Sequence, residues 1–453
     1  MPSPATRQAS TTDARLSRVS RPEKQALSGA FFWLSAFYFV YCARPEDYIF
    51  FLRYLPLAKI TGTAAFLSLL TSAGKTPRRF KDLPREGKYL FAIIILLFVS
   101  GFLSPVWRGG AVSHTIDFAK VYVAWVLTFL LITSKERLWR IIHIQAASVP
   151  VLCLAALMMG HSIPRLNGVM GGIYSNANDL AFAIVLSVPF SLAFLIRSKG
   201  LIGKLAWGSG LIVMAATLFM TASRSGFIDM VITGTICLWH FGVRGRRFYL
   251  VIATLFVSAI LMMSLGGRLR ARMSTLTGSA DGTQVEERAY ESFEERKEGM
   301  IKAFYGMLNY PVFGIGHRNF PVYSGNWIDV HCAYLQIGVE GGIPVLILYL
   351  LFFRRGFKNL RAIRKKRNLD PETTLLAGAL HASLIGFVVG AAFGPEAYQY
   401  FAYFAVAYTS VLFAISREAE KSETSAAKIS KTTLPYSGKS RNNDKIGALT
   451  PSY

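Results

Sequence analysis

The sequence predicts an all-α, polytopic integral membrane protein, and three observations carry that prediction. Of its 453 residues 52% are hydrophobic and only 17% charged, with a mean hydropathy of +0.37. A soluble chain of this length carries more charge. About twelve stretches approach the roughly 20 apolar residues that a spanning helix needs. Basic residues gather in short segments between those stretches, the positive-inside pattern. That distribution decides what the net charge of +24 means: the partners it implies are membrane lipids, and no nucleic acid.

The chain opens with a polar, basic segment, 1–27, which lacks a small-residue cleavage site after the first apolar run and is expected to be a disordered cytoplasmic tail. Nine spans are expected within 28–266, at about 28–42, 56–73, 88–104, 115–133, 138–159, 178–196, 203–222, 226–242 and 247–266. The first two are short or interrupted, by Pro56 and Lys59. Three more follow within 332–416, at about 332–353, 372–392 and 398–416, before a second basic tail, 417–453, expected to be disordered.

Charge supplies an independent check. With the N-terminus inside, the segments KTPRRFKDLPREGK, SKERLWR, RSKGLIGK, GVRGRR and RRGFKNLRAIRKKR all face the cytoplasm and hold 23 of the 50 Lys and Arg. The short outside loops hold only Arg44, Arg53, Arg108, Arg165 and Arg224. Both termini are then inside, with one large outside loop at 267–331. In that loop Phe293, Met300, Ile301, Phe304, Met307 and Leu308 recur at helical spacing. They predict an amphipathic helix that ends at Pro311 and lies over the outer mouth of the bundle.

Cys42, Cys153, Cys237 and Cys332 lie far apart, without a CxxC pair, and histidines are not grouped at metal-ligand spacing. Neither a disulfide framework nor a zinc site is expected, and no cofactor.

Five outward features can carry chemistry. In PRLNGVMGGIYSNANDLA (164–181), Asn176 or Asn178 suits a helix cap, whereas Arg165 has no such local role beyond contact with lipid headgroups. In TASRSGF (221–227), Arg224 is pinned at the membrane surface by spans on both sides. Its planar donor fork suits phosphate oxygens, and the alternative is snorkelling or a pair with Asp229. Arg296 lies on the amphipathic helix, where a charge is also ordinarily solvated. His317 and Arg318 sit in a glycine-containing loop, YPVFGIGHRNF (310–320), whose backbone amides can hold an anion. Last is IDVHCAYLQIGVEGGIP (328–344), with His331 at the lip of a span and Glu340 deeper. A neutral imidazole there can accept a hydroxyl proton, and a satisfied interfacial histidine is the alternative. Nine residues of ideal helix set His331 and Glu340 on opposite faces, so they are not expected to form a dyad.

Taken in order, RLNGVMGGIYSNANDLA, TASRSG, EERKEGMIKAFYGMLNYPVFGIGHRNF and HCAYLQIGVEGGIP resemble the O-antigen ligase and O-antigen polymerase superfamily of bacterial envelope glycosyltransferases. RPEDYIFFLRYLPLAKI (44–60) also looks like a segment of such proteins. The resemblance implies metal-independent transfer of a glycan from undecaprenyl diphosphate to an acceptor hydroxyl, with inversion, at the periplasmic face of the inner membrane. It implies Arg224 and Arg296 as the groups that hold the diphosphate, and His331 as the acceptor-activating residue. Arg165, Asn178, His317 and Arg318 are then the substrate-binding candidates. The sequence departs from the family where His331 precedes Cys332 instead of asparagine, and where Ala177 stands between Asn176 and Asn178 instead of proline. The acceptor is lipid A–core, another glycan or a protein. A polymerase that joins repeat units is the alternative within this chemistry, and a lipid-linked oligosaccharide transporter the alternative outside it.

Overall fold

The computed structural model describes residues 28–71, 78–159, 166, 176–267, 269, 284–325, 327–366 and 369–432. Among them the chain is helical, without strands. The apolar helices are α1 (Ser28–Ala43), α2 (Leu57–Thr71), α3 (Arg85–Leu103), α4 (Arg108–Leu131), α5 (Lys135–Met159), α6 (Ala177–Arg197), α7 (Leu201–Thr221), α8 (Arg224–Val243) and α9 (Phe248–Leu265). After them come α10 (Gln284–Asn309), the short α11 (Phe320–Ser324), α12 (Ala333–Arg364), α13 (Pro371–Gly390) and α14 (Tyr400–Thr432). Among the described residues ten helices are long and apolar enough to span a membrane, and α1 and α2 are shorter.

Burial follows from which helices meet. The core packs α12 between α3 and α14, and α13 against α6 and α8. Along α14, Phe401 to Leu412 is almost wholly buried, whereas α9 exposes Ile252, Leu255, Phe256 and Met263. In lipid an apolar outer face carries no cost, so α9 needs no partner on that side. Polar groups inside the bundle are satisfied by one another, as a low-dielectric interior requires. The buried Glu86 carboxylate accepts from Asn359 Nδ2 at 2.6 Å, Ser410 Oγ at 2.7 Å and Arg355 Nε at 3.2 Å. These bonds tie α3, α12 and α14 together at the Lys/Arg-rich end.

Three boundaries differ most from the sequence reading, one of them the end of α12, which runs to Arg364 and past the expected 353. Helix α4 begins at Arg108, because Gly109 and Gly110 form its first turn instead of a loop. Helix α14 runs to Thr432, through the first part of the segment 417–453 read as a disordered tail. Its continuation is anchored: Glu418 accepts from Arg78 at 2.9 Å and Glu420 pairs with Lys366 at 2.8 Å. The tail 1–27, the residues 433–453 and most of the loop before α10 lie outside the described residues.

Candidate active site at the outer mouth

The site is positioned by a broken turn in α12. Gly342 adopts φ 83° and ψ 170°, and a Cβ there would come within 2.3 Å of the Val312 carbonyl. Only glycine allows that approach. The carbonyls freed by the break are taken up by the 310–320 loop: Ile315 N–H donates to Val339 O at 2.9 Å, and Gly316 N–H to Glu340 O at 3.0 Å. In return Ile343 N–H donates to Pro311 O at 2.8 Å. A small apolar cluster of Ala303, Ile315, Phe320, Val330 and Val339 locks α10 and the 327–332 segment onto this turn.

His331 follows Val330 directly, so the cluster sets its place, and Ala333 N–H fixes the start of α12 by donating to Ala391 O at 2.7 Å. Arg296 lies one turn before Gly299 on α10, where a Cβ would sit 3.7 Å from the Asp329 carbonyl. That face of α10 therefore covers the strand-like approach to His331. Arg296 Nε is buried and has no hydrogen-bond partner among the described residues.

Arg224 opens α8. Its N-cap Ser223 accepts from Gly226 N–H at 3.2 Å and donates to Asn178 Oδ1 at 2.8 Å. Asn176 caps α6 by accepting from Asn178 N–H at 3.0 Å. A Cβ on Gly226 would meet Ala181 Cβ at 2.6 Å, so the starts of α6 and α8 are in close contact. The alternative pairing with Asp229 is not made: Asp229 accepts from Thr233 at 3.4 Å and its other oxygen has no hydrogen-bond partner among the described residues.

Electrostatics link Arg296 to each of the other two groups. Burial, and then the Arg224 charge, pull the Arg296 guanidinium below its ordinary value. Burial, and then the Arg296 charge, push His331 down to about 4, so its imidazole is neutral near pH 7. Arg296 thus lies near enough to feel Arg224 on one side and to act on His331 on the other, each group supplied by a different element. This arrangement can hold a dianion beside a proton acceptor.

The other sequence candidates divide. His317 is buried at 2% exposure, sharing a 3.2 Å hydrogen bond with Thr115 and packing on Tyr398 and Phe118. Burial, and then the Arg318 charge, push it well below its usual range. Arg318 is exposed, in the left-handed region at φ 56°. It lines a cavity of about 660 Å³ between α1, α2, α4 and the 391–399 loop, with apolar walls that include Phe37, Tyr41 and Phe66, and with Lys59 and Lys120. Arg165 lies outside the described residues.

Sequence reasoning passed over a group of carboxylates beside the site. Glu396 is 3% exposed, and burial followed by the nearby Asp179 raises it well above the usual carboxylate range. Asp179 in turn lies close enough to feel the charge of Asp329, two residues before His331. Glu340 accepts from Tyr398 O–H at 2.7 Å, which makes it a packing tie inside α12 and no partner of His331. A carboxylate at the lip of a span was the available signal for Asp179 and Glu396, the same signal that singles out His331. Among the described residues no group of His, Cys, Asp and Glu is arranged to hold a metal ion.

Residues 209–350 match a family model described as O-antigen ligase. The matched stretch starts within α7 and ends within α12, and contains Arg224, Arg296, His317, Arg318 and His331, while Arg165 and Asn178 precede it. No curated protein matches the chain. The match covers under a third of the chain and supports an O-antigen ligase-type domain at residues 209–350.

Proposed function

We propose that the protein is a membrane glycosyltransferase of the ligase type, moving a glycan from undecaprenyl diphosphate to an acceptor hydroxyl at the periplasmic face of the inner membrane, in lipopolysaccharide or surface polysaccharide biosynthesis. The observation that carries this reading is the charge coupling of Arg296 with Arg224 and with a neutral His331. Arg224 and Arg296 hold the diphosphate and stabilise the charge it gains as the glycosidic bond breaks, an electrostatic contribution that does not depend on reorganising solvent. His331 takes the proton from the acceptor hydroxyl as that oxygen attacks the anomeric carbon. The carbon–oxygen bond to the diphosphate breaks as the new glycosidic bond forms, so the anomeric configuration inverts. The apolar-walled cavity that reaches Arg318 supports a lipid-linked substrate. Asn178 holds the α8 cap, and hence Arg224, through Ser223. Arg165 and His317 complete the proposed binding group.

The test is transfer by the purified protein from a polyprenyl-diphosphate oligosaccharide, in EDTA, with lipid A–core or a second donor as acceptor. Product on lipid A–core supports the ligase, and a ladder on the polyprenyl carrier assigns a polymerase instead. His331→Ala is expected to lower the rate by about 10²–10⁴-fold, the usual contribution of a positioned general base. Normal transfer by correctly inserted His331→Ala and Arg224→Ala proteins refutes the mechanism.

A further inference from the structure

A second site lies at the opposite end of the bundle. There a cavity of about 410 Å³ is lined by Arg244, Phe357, Arg361, Arg364, Lys365 and His381. Four of these six residues are cations, and none forms an ion pair with a carboxylate among the described residues. The acids at this end are engaged elsewhere: Asp370 with Lys135 at 3.0 Å, Glu372 with Arg197 at 3.0 Å, Glu418 with Arg78 at 2.9 Å and Glu420 with Lys366 at 2.8 Å. Positive-inside topology accounts for basic residues at helix ends, but not for four of them converging on one concavity with no counter-charge.

The backbone adds an independent observation. Helix α8 ends in a π-helical segment, Leu238–Val243, which turns His240 towards α13, where its Nε2 lies 3.1 Å from His381 Nδ1. Such π segments are found disproportionately at functional sites. Of the pair His381 lines the cavity, with Phe357 edge-on to it at 6.0 Å. Beside the cavity Trp239, Val243, Phe248 and Tyr249 are exposed, an aromatic and apolar rim at a helix end. A basic recess between helices with such a rim suits a phosphate whose tails lie in the adjoining lipid.

We infer that this recess, formed where the end of α8 meets α12 and α13, binds the phosphate of an anionic phospholipid headgroup in the leaflet that the charge bias assigns to the cytoplasm. The size fits the roughly 300–1,000 Å³ of small-ligand sites. The flanking segments are themselves net basic: 1–27 holds five Lys and Arg against two Asp and Glu, and 433–453 holds three against one. Bidentate guanidinium contacts from Arg361 and Arg364 are the main recognition, with Arg244 and Lys365 as further charges.

The test uses the purified full chain, delipidated in zwitterionic detergent, and follows thermal unfolding with added phosphatidylglycerol, phosphatidylcholine or sodium pyrophosphate. Phosphatidylglycerol is expected to raise the unfolding midpoint, and phosphatidylcholine to leave it unchanged. The double variant Arg361→Gln, Arg364→Gln needs about ten-fold more phosphatidylglycerol or loses the response, as expected for lost charge-assisted contacts. Lys204→Gln, an exposed cation at the same end and outside the cavity, keeps the response. Equal protection by both lipids, or an undiminished response in the double variant, overturns the proposal. Protection by pyrophosphate that abolishes the lipid response assigns the recess to a soluble phosphate and overturns the lipid assignment. The readout is independent of glycan transfer, so its outcome stands apart from the function proposed above.

Discussion

The neutral His331 makes a prediction about the acid limb of the rate profile. Burial and the Arg296 charge set its pKa at about 4, against 6.5 for an ordinary histidine. A base must be unprotonated, so the rate falls with pH only as His331 gains its proton. At pH 5 a histidine titrating near 4 is about 90% neutral, whereas one titrating at 6.5 is about 3% neutral. The rate at pH 5, relative to pH 7.5, therefore separates the two cases by about thirty-fold. The assay is initial-rate glycan transfer in detergent across this range. It needs an unfolding control, because the linkage runs the same way: the unfolded histidine binds its proton first, so stability also declines as pH falls from 6.5 towards 4. In Arg296→Gln the smaller of the two causes is removed. Its acid limb is expected to move above that of the wild type but to stay below 6.5, because burial remains. Its overall rate drops by about 10²–10³-fold if the guanidinium stabilises the leaving diphosphate. A wild-type limb near 6.5, or a limb unmoved in Arg296→Gln, refutes the placement of a neutral base beside Arg296.

Other perturbations probe the scaffold. Glu86→Ala leaves Arg355 and Asn359 without their buried acceptor and is expected to cost about 3–5 kcal/mol, read as a lower unfolding midpoint; an unchanged midpoint contradicts the network. Ser223→Ala removes both the α8 cap and the tie to Asn178, at about 1 kcal/mol of stability. Its larger effect is expected on the KM for the donor, with Ser223→Thr restoring it, and equal KM values for all three proteins would show that the cap does not position Arg224. Gly342→Ala forces a Cβ to within 2.3 Å of the Val312 carbonyl at φ 83°. Transfer is expected to be lost while circular dichroism keeps its helical signal, and full activity would show that the broken turn is dispensable.

How much was legible follows from which forces are local. Spanning helices are set by hydropathy along the chain, so the expected runs at 56–73, 203–222 and 247–266 find their counterparts in Leu57–Thr71, Leu201–Thr221 and Phe248–Leu265. The helix expected before Pro311 ends at Asn309 for an equally local reason, the proline two residues on. Where tertiary contacts decide, the pattern is silent. Gly341, Gly342 and Pro344 permit a break there, but its form depends on the 310–320 loop docked against it. The extension of α14 beyond residue 416 likewise depends on Arg78 and Lys366 arriving from elsewhere. Arg224, Arg296 and His331 are visible as titratable groups in outward turns, yet their meeting is not. Glu396 looks like a loop carboxylate in sequence, and only the approach of α6 buries it against Asp179.

The two ends of the bundle show what separates a structural charge from one held for a ligand. At the Lys/Arg-rich end Glu86 is buried, but three donors surround it, and its role is complete within the fold. Arg78 is also buried, yet two carbonyls and Glu418 accept from it. Arg296 differs: it is half-buried beside a second arginine, and its Nε lacks a partner among the described residues. Desolvating a cation next to another cation costs stability in the free protein. Such an arrangement offsets that cost only when an anion arrives, and its strength then comes from the same low dielectric that made it unfavourable before. A single replacement, Arg296→Gln, should therefore raise the unfolding midpoint of the ligand-free protein while lowering transfer. A midpoint that falls instead would mean that Arg296 holds the fold, and that the mouth of the bundle is built for packing and not for a diphosphate.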